Sequence, residues 1–481
     1  NGDHFLRPAE FTTGPRENEN VEATVNTVLV ISTKAGDKLP SQIVAVLNDE
    51  TFYSDTHTIT DLQNVLTEGR NKIEGKDYFV MTNSVYSKDG VKQIGVSVEG
   101  YLYPTAAAAQ ANPVTIYVER ALAKVTVESG ITTSKTLEDG TVIYQTTKKD
   151  ATTNTDITTQ FNGKDVYVKF LGWNVTARRT EDRLVKEINT AWVPGWTWNT
   201  ADYHRSFWAI NAPVTEGVEP YEWGTFNKAG DKYPALKYTD FTGENEWAYV
   251  KENAGINEEG NDPTTPTQVI IAAQLCDEDG NEMEFAEWAA VTMSFDDLRA
   301  AYANAAPLYY ANGTDADGNT VFTKIGADDI KLATATELGL ASPTVDGRYK
   351  VYPTLSATGA AKTWYNRPNS KDAPALTAEE VQATLTGLGG AKAWKGGMTY
   401  YYFDINHLGH GINGAAFGDK GVVRNHIYAA TVTSLSGLGT PVYNPDEIIY
   451  PEKPEDEYLY IAANIKILSW RVVRFNTSLD W

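Results

Sequence analysis

Two short acidic stretches have the residue types of a calcium loop. Asp277-Glu-Asp-Gly-Asn281 and Asp315-Ala-Asp-Gly-Asn319 both open with carboxylates at alternate positions. An EF-hand loop also needs Gly at its sixth position and a bidentate Glu at its twelfth. Here Gly stands fourth and no Glu stands twelfth. Asp-Gly followed by a polar residue suits a hairpin turn, where Gly takes positive φ. The expectation is two turns and no metal site. His407-Leu-Gly-His410 offers two imidazoles but no third ligand close by, so a structural role is expected. His426, at a strand start, reads as a satisfied polar group. Cys276 is the single cysteine, which excludes an internal disulfide and a cysteine-cluster metal site.

Hydrolytic chemistry finds no better footing. A glycosidase needs two carboxylates at a fixed separation. Among 63 Asp and Glu, close pairs arise by chance and carry no information. The chain has neither a Gly-x-Ser-x-Gly elbow nor a Walker loop. Trp192-Val-Pro-Gly-Trp-Thr-Trp198 has the rings to stack on a sugar, but lacks placed polar partners and reads as packing. The residues therefore predict no catalytic, cofactor-binding or metal-binding group, and no enzyme.

The elements around these residues are those of a mainly β protein. At 481 residues the chain exceeds one ordinary core, and two domains are the default. The net charge of −22 excludes unaided binding to nucleic acid or an anionic membrane. No run of about 20 apolar residues exists to span a bilayer. The sequence opens on Asn1 rather than Met, which reads as a processed or trimmed product. β-Branched runs predict strands over 25–33, 78–82, 94–103, 115–127, 166–177, 269–275, 398–405 and 427–435. Asp89-Gly90 and Asp139-Gly140 are hairpin turns. Asp61 caps a short helix to Leu66, Ser294 a helix over 295–305, and Thr377 with Glu380 a capping box for 378–386. Composition shifts near residue 186, so the expected division is 1–185, 186–443 and a tail, 444–481.

That tail joins an acidic, Pro-containing linker to a long apolar run. From Asn444 to Tyr458 stand Asp446, Glu447, Glu452, Glu455, Asp456 and Glu457 against Lys453 alone. Pro445, Pro451 and Pro454 keep it extended. In the run that follows, one face carries Ile461, Ala463, Ile465, Ile467, Ser469, Arg471, Val473 and Phe475. The other carries Ala462, Asn464, Lys466, Leu468, Trp470, Val472 and Arg474. A strand covered on one side alternates cleanly. This one asks for cover on both faces in its middle. Two readings stand level on the residues: it folds back into its own domain, or it inserts into another chain's sheet.

Several stretches carry a resemblance to a known family. They are Glu119-Arg-Ala-Leu-Ala-Lys-Val-Thr-Val127, Leu171-Gly-Trp-Asn-Val-Thr176, His204-Arg-Ser-Phe-Trp-Ala209, Thr267-Gln-Val-Ile-Ile-Ala-Ala-Gln-Leu275 and Gly397-Met-Thr-Tyr-Tyr-Tyr402. The strongest is Gly421-Val-Val-Arg-Asn-His-Ile-Tyr428 followed by Gly437-Leu-Gly-Thr-Pro441. In this order the set resembles the fimbrilins of Bacteroides-type bacteria, the type V pilins. The resemblance implies two transthyretin-like β-sandwich domains with a few short helices and a C-terminal donor strand. It implies a structural subunit of a surface fimbria, exported as a lipoprotein precursor, trimmed by an arginine-specific protease and polymerised by strand exchange. Donation in the polymer then becomes the favoured reading of the tail. The donor residues are Ile461, Ala463, Ile465, Ile467, Leu468, Trp470, Val472, Val473 and Phe475, and Arg16 is the candidate processing site. Arg120, Arg205 and Arg424 are expected to anchor strand ends. Expected partners are further copies of the chain, accessory tip and anchor subunits, and host or bacterial receptors, at the outer membrane surface. Competing readings are a monomeric carbohydrate-binding surface protein and a secreted glycosidase.

Overall fold

The computed structural model describes residues 12–14, 24–29, 31, 36, 38–49, 59–73, 75–149, 153, 155–188, 209–224, 247–253, 265–340, 349–367, 374–405, 407, 421–446 and 471–480. These residues are mainly β. Ten strands make the central body: β1 Leu122–Ser129, β2 Ser134–Thr136, β3 Val142–Gln145, β4 Tyr167–Thr176, β5 Ala248–Lys251, β6 Gln268–Cys276, β7 Met398–Asp404, β8 His426–Ser436, β9 Thr440–Pro441 and β10 Arg471–Asp480. One sheet has the order β5-β1-β8-β10, the other β2-β3-β4-β6-β7-β9. The six-stranded sheet is antiparallel throughout. In the four-stranded sheet β8 lies parallel to both β1 and β10. Parallel neighbours need a long crossover, and residues 437–470 supply it between β8 and β10.

The two sheets share one core. Ala123, Val125 and Val127 of β1 and Tyr428, Ala430 and Val432 of β8 meet Val168, Phe170, Trp173 and Val175 of β4, with Val269 to Leu275 of β6 and Tyr401 and Phe403 of β7. The inward residues of β4 change from even to odd numbers across Gly172. A β-bulge there gives one strand an extra residue and reverses the faces. The outer faces of β6 and β7 are buried too: Ile270, Tyr400 and Tyr402 cluster with Val442, and Tyr349 packs against them. That double cover explains why Val269–Leu275 is apolar without alternation.

Two smaller cores flank this body. Between β6 and β7, a five-stranded sheet packs on helices α1 Phe295–Ala305 and α2 Ala378–Thr386 through Leu298, Tyr302, Val381 and Leu385. Both helices have the predicted bounds. The Ser294 hydroxyl accepts from Asp297 N at 3.1 Å, and Thr377 and Glu380 satisfy each other's backbone N–H at 3.2 and 2.8 Å. The N-terminal core gathers Leu62, Val80, Val85, Ala121, Leu184, Val185 and Ile188.

Residues on both sides of the division expected after 185 build the central sandwich. β4 pairs with β6 along nine residues, and β1 with β8 across some three hundred residues of chain. Composition reads covalent order, whereas the sheets are closed by these distant pairings. Three local expectations also shift. The helix from Asp61 is one turn, Ile59–Leu62. The strand expected over 94–103 pairs only at Val96–Ser97, and the Asp89-Gly90 turn joins Tyr86–Lys88 to Val91–Gln93. The strand expected over 115–127 breaks at buried Ala121. Val118–Arg120 pairs with Met81–Asn83 of the N-terminal part, and β1 then enters the sandwich.

Candidate functional site

β8 rises from a root that is buried at every position from Gly421 to Tyr428. Gly421 N donates to the Ile405 carbonyl at 2.6 Å, and Val422 exchanges two backbone bonds with Asn253 at 2.9 Å each. Asn425 takes φ of 60°, a left-handed conformation that Asn tolerates well. Its N–H donates to the Leu122 carbonyl at 2.9 Å and its Oδ1 accepts from Arg120 N at 3.3 Å. β1 and β8 are thus registered at their first residues.

Arg424 is the centre of this root. Its side chain is wholly buried. Nε donates to Glu252 Oε2 at 2.7 Å, Nη1 to the Leu184 carbonyl at 3.0 Å, and Nη2 to Asp182 Oδ1 at 3.0 Å and the Arg183 carbonyl at 2.7 Å. A planar fork of donors suits this arrangement, and a lysine could not reproduce it. Burial opposes the guanidinium's charge, but Asp182, Glu252 and Glu119 outweigh it and hold its pKa above the usual arginine value. Lys186, equally buried, stands 3.7 Å from both Glu119 and Glu252. His426 Nδ1 lies 2.7 Å from the Arg424 carbonyl and so must carry the proton. His407 Nδ1 bonds the Tyr428 hydroxyl at 2.7 Å, and that hydroxyl accepts from Val423 N at 2.8 Å.

On this root stands the ladder that seats β10. Its register runs from His426 opposite Arg471 to Val432 opposite Thr477, then past a bulge from Ser434 opposite Ser478 to Ser436 opposite Asp480. Tyr428, Ala430, Val432 and Leu435 belong to the core. Val473, Phe475, Thr477 and Leu479 stand opposite Tyr428, Ala430, Val432 and Leu435 in that register.

Of the donor residues expected from the sequence, Val472, Val473 and Phe475 lie in β10. Ile461, Ala463, Ile465, Ile467, Leu468 and Trp470 lie outside the described residues, as do Arg16, Arg205, His410 and Trp192–Trp198. Thr12–Gly14 and Thr24–Asn26 on either side of Arg16 pair antiparallel. Arg120 and Arg424 do anchor strand ends. The network's acids and its lysine were missed. Asp182 and Lys186 sit in a charged run, Glu181-Asp-Arg-Leu-Val-Lys-Glu187, that reads as solvated, and only the position of Arg424 between strand starts hinted at a buried partner.

The acidic stretches are turns. Asp277 Oδ1 accepts from Asp279 N at 3.1 Å and Asn281 N at 3.0 Å, and Asp315 Oδ1 from Asp317 N at 3.0 Å and Asn319 N at 2.7 Å. Gly280 and Gly318 take φ of 81° and 78°. Lys164, on Asp277 Oδ2 at 2.8 Å, leads in holding the Asp277 carboxyl down at about 2. Among the described residues no three His, Cys, Asp or Glu side chains are grouped to hold a metal ion. Burial pushes the Cys276 thiol up to about 12. No helix among the described residues is long and apolar enough to cross a membrane.

The fold and its root define a β-sandwich whose last strand returns to the edge of its own sheet. Residues 392–476, from the strand before β7 into β10, match the family model described as major fimbrial subunit protein type IV, fimbrillin, C-terminal. The C-terminal part is therefore similar to fimbrillins. No curated protein matches the chain.

Proposed function

We propose that the chain is the repeating subunit of a bacterial surface fimbria and that copies join head to tail by strand exchange. The observation that carries this reading is the fimbrillin match over 392–476, which takes in β8, its root and the first six residues of β10. The seated β10 is the arrangement of the unassembled subunit. In the fibre the segment 461–475 enters a neighbour's groove, adding its backbone to that sheet and its apolar faces to that core. Cleavage after Arg16 falls between the paired strands Thr12–Gly14 and Thr24–Asn26, so it cuts the covalent link between them. The sequence resembles in particular the shaft subunit of the minor fimbria of Porphyromonas. On that likeness the precursor is a lipoprotein of the outer membrane. The fibre carries accessory tip and anchor subunits and serves adhesion, coaggregation and biofilm formation. The test is electron microscopy of the protease-treated chain with and without residues 461–481. Fibres from the intact chain alone are expected. Fibres of native form from the deleted chain would move the joint elsewhere.

A further inference from the structure

The charged cluster around Arg424 is larger than a strand anchor requires, and it lies between two cores. Asp182 and Lys186 flank Leu184 and Val185 of the N-terminal core, and Glu119 stands two residues before Ala121 of the same core. Glu252 follows Val250, and Arg424 lies between Val422 and Tyr428, all three members of the sandwich core. Every ionic contact of Arg424 thus runs within or across this junction. The side chains of Arg424 and Lys186 are 0% exposed, those of Glu119 and Glu252 1%, and that of Asp182 5%. Water does not screen them. Asp182 and Glu252 share the guanidinium of Arg424 there, and Glu119 and Glu252 face the ammonium of Lys186.

We propose that this cluster is a proton-tightened joint between the N-terminal core and the sandwich. In neutral solution two buried carboxylates, Asp182 and Glu252, crowd the one guanidinium of Arg424, and uptake of a single proton in mildly acid solution relieves their repulsion.

Asp182 is the group placed to take that proton. Burial raises it from the ordinary 3.8 to about 6, Arg424 opposing and Glu252 adding to the rise. Its own backbone partners are Glu252 N at 3.1 Å and Arg183 N at 2.7 Å. The Arg183 guanidinium is directed to the Gln63 carbonyl at 2.8 Å, and Arg120 Nη1 to Asn425 Oδ1 at 3.4 Å. From the β8 side, His426 borders the cluster through the Arg424 carbonyl and His407 through Tyr428. A folded value raised above the unfolded one gives stability that is full below 3.8 and lost as the pH rises through about 6. Between pH 7 and pH 5 the folding constant should rise about tenfold from this one group.

The experiment is urea unfolding of the full chain at pH 5 to 7.5, for the wild type, Asp182→Asn and Glu138→Gln. Glu138 is exposed, so the last variant removes the same charge from the surface. The expected result is a wild-type gain on acidification that Asp182→Asn loses by about tenfold and Glu138→Gln keeps. An Asp182→Asn profile as steep as the wild type's would overturn the proposal. Should Asp182→Asn not fold, carbon-13 labelling of aspartate carboxyls in the wild type gives the answer by NMR. One buried carboxyl titrating in mild acid is expected, and the absence of any above pH 5 would overturn it.

Discussion

Replacing Arg424 by Met keeps much of the side-chain stem and deletes the guanidinium. Four hydrogen bonds go with it, to Glu252, Asp182 and the carbonyls of Leu184 and Arg183. The two carboxylates remain buried with Lys186 as the nearer cation, 3.7 Å from Glu252. Removing one partner from a buried ion pair costs about 3–5 kcal/mol, because the other charge is left unpaired. Against a whole stability of roughly 5–15 kcal/mol, that is a large fraction. With a urea dependence of about 3 kcal/mol per molar, the midpoint of unfolding should fall by roughly 1–1.7 M. Tryptophan fluorescence in urea reads this directly. The control is Arg178→Met, which breaks the 2.7 Å pair with Glu222 where both side chains are partly exposed. That change should cost about 1 kcal/mol or less. Equal midpoints for the two variants would refute the reasoning, since burial would then confer no special weight on the Arg424 cluster.

Ile467→Asp places a charge in the segment proposed to enter a neighbour's core, so it should stop fibre growth, seen by electron microscopy, while leaving the monomer's circular dichroism unchanged. Gly397→Ala meets two obstacles: φ of 71°, and a Cβ that would press on the Leu275 carbonyl of β6. A loss of about 2–4 kcal/mol in urea unfolding is expected, and a neutral result would mean that the β6–β7 end is more yielding than drawn. Cys276 is fully buried with its thiol pushed up to about 12, so it should resist alkylation at pH 8 until the protein is unfolded. Rapid labelling of the native chain would show that this end of β6 opens.

What was legible in the sequence depended on how local its cause is. Helices α1 and α2 announced their first residues because Ser294 and the Thr377–Glu380 pair act within a single turn. The long strands β4, β6, β7 and β8 were read to within a residue or two from β-branched and aromatic runs. The Asp-Gly turns followed from Gly alone. Pairings that close the sandwich were not legible, because nothing near Leu122 specifies a partner at residue 425. The same holds for the Arg424 cluster. Glu119, Asp182, Lys186 and Glu252 come from three separate stretches, and a buried charge looks in sequence like a solvated one. The tail was read as needing cover on both faces. The residues that carry most of that reading, 461–470, lie outside the described residues.

The parallel seating of β10 also makes the joint sensitive to the direction of a load. Ten residues of strand lie along β8 over about 33 Å, in a ladder interrupted once by the bulge after Val432. A pull along the strand axis strains all of the bonds together, and the ladder resists as a clamp. A pull across the axis, starting at Arg471, strains one bond at a time, and the strand peels like a zip. Because β8 is bolted at that same end through Arg424 and Asn425, its root stays fixed while the zip opens. The same edge is thus strong under tension along the strand and yielding under tension across it, so a strand that holds against drag can still be lifted out at its first residue.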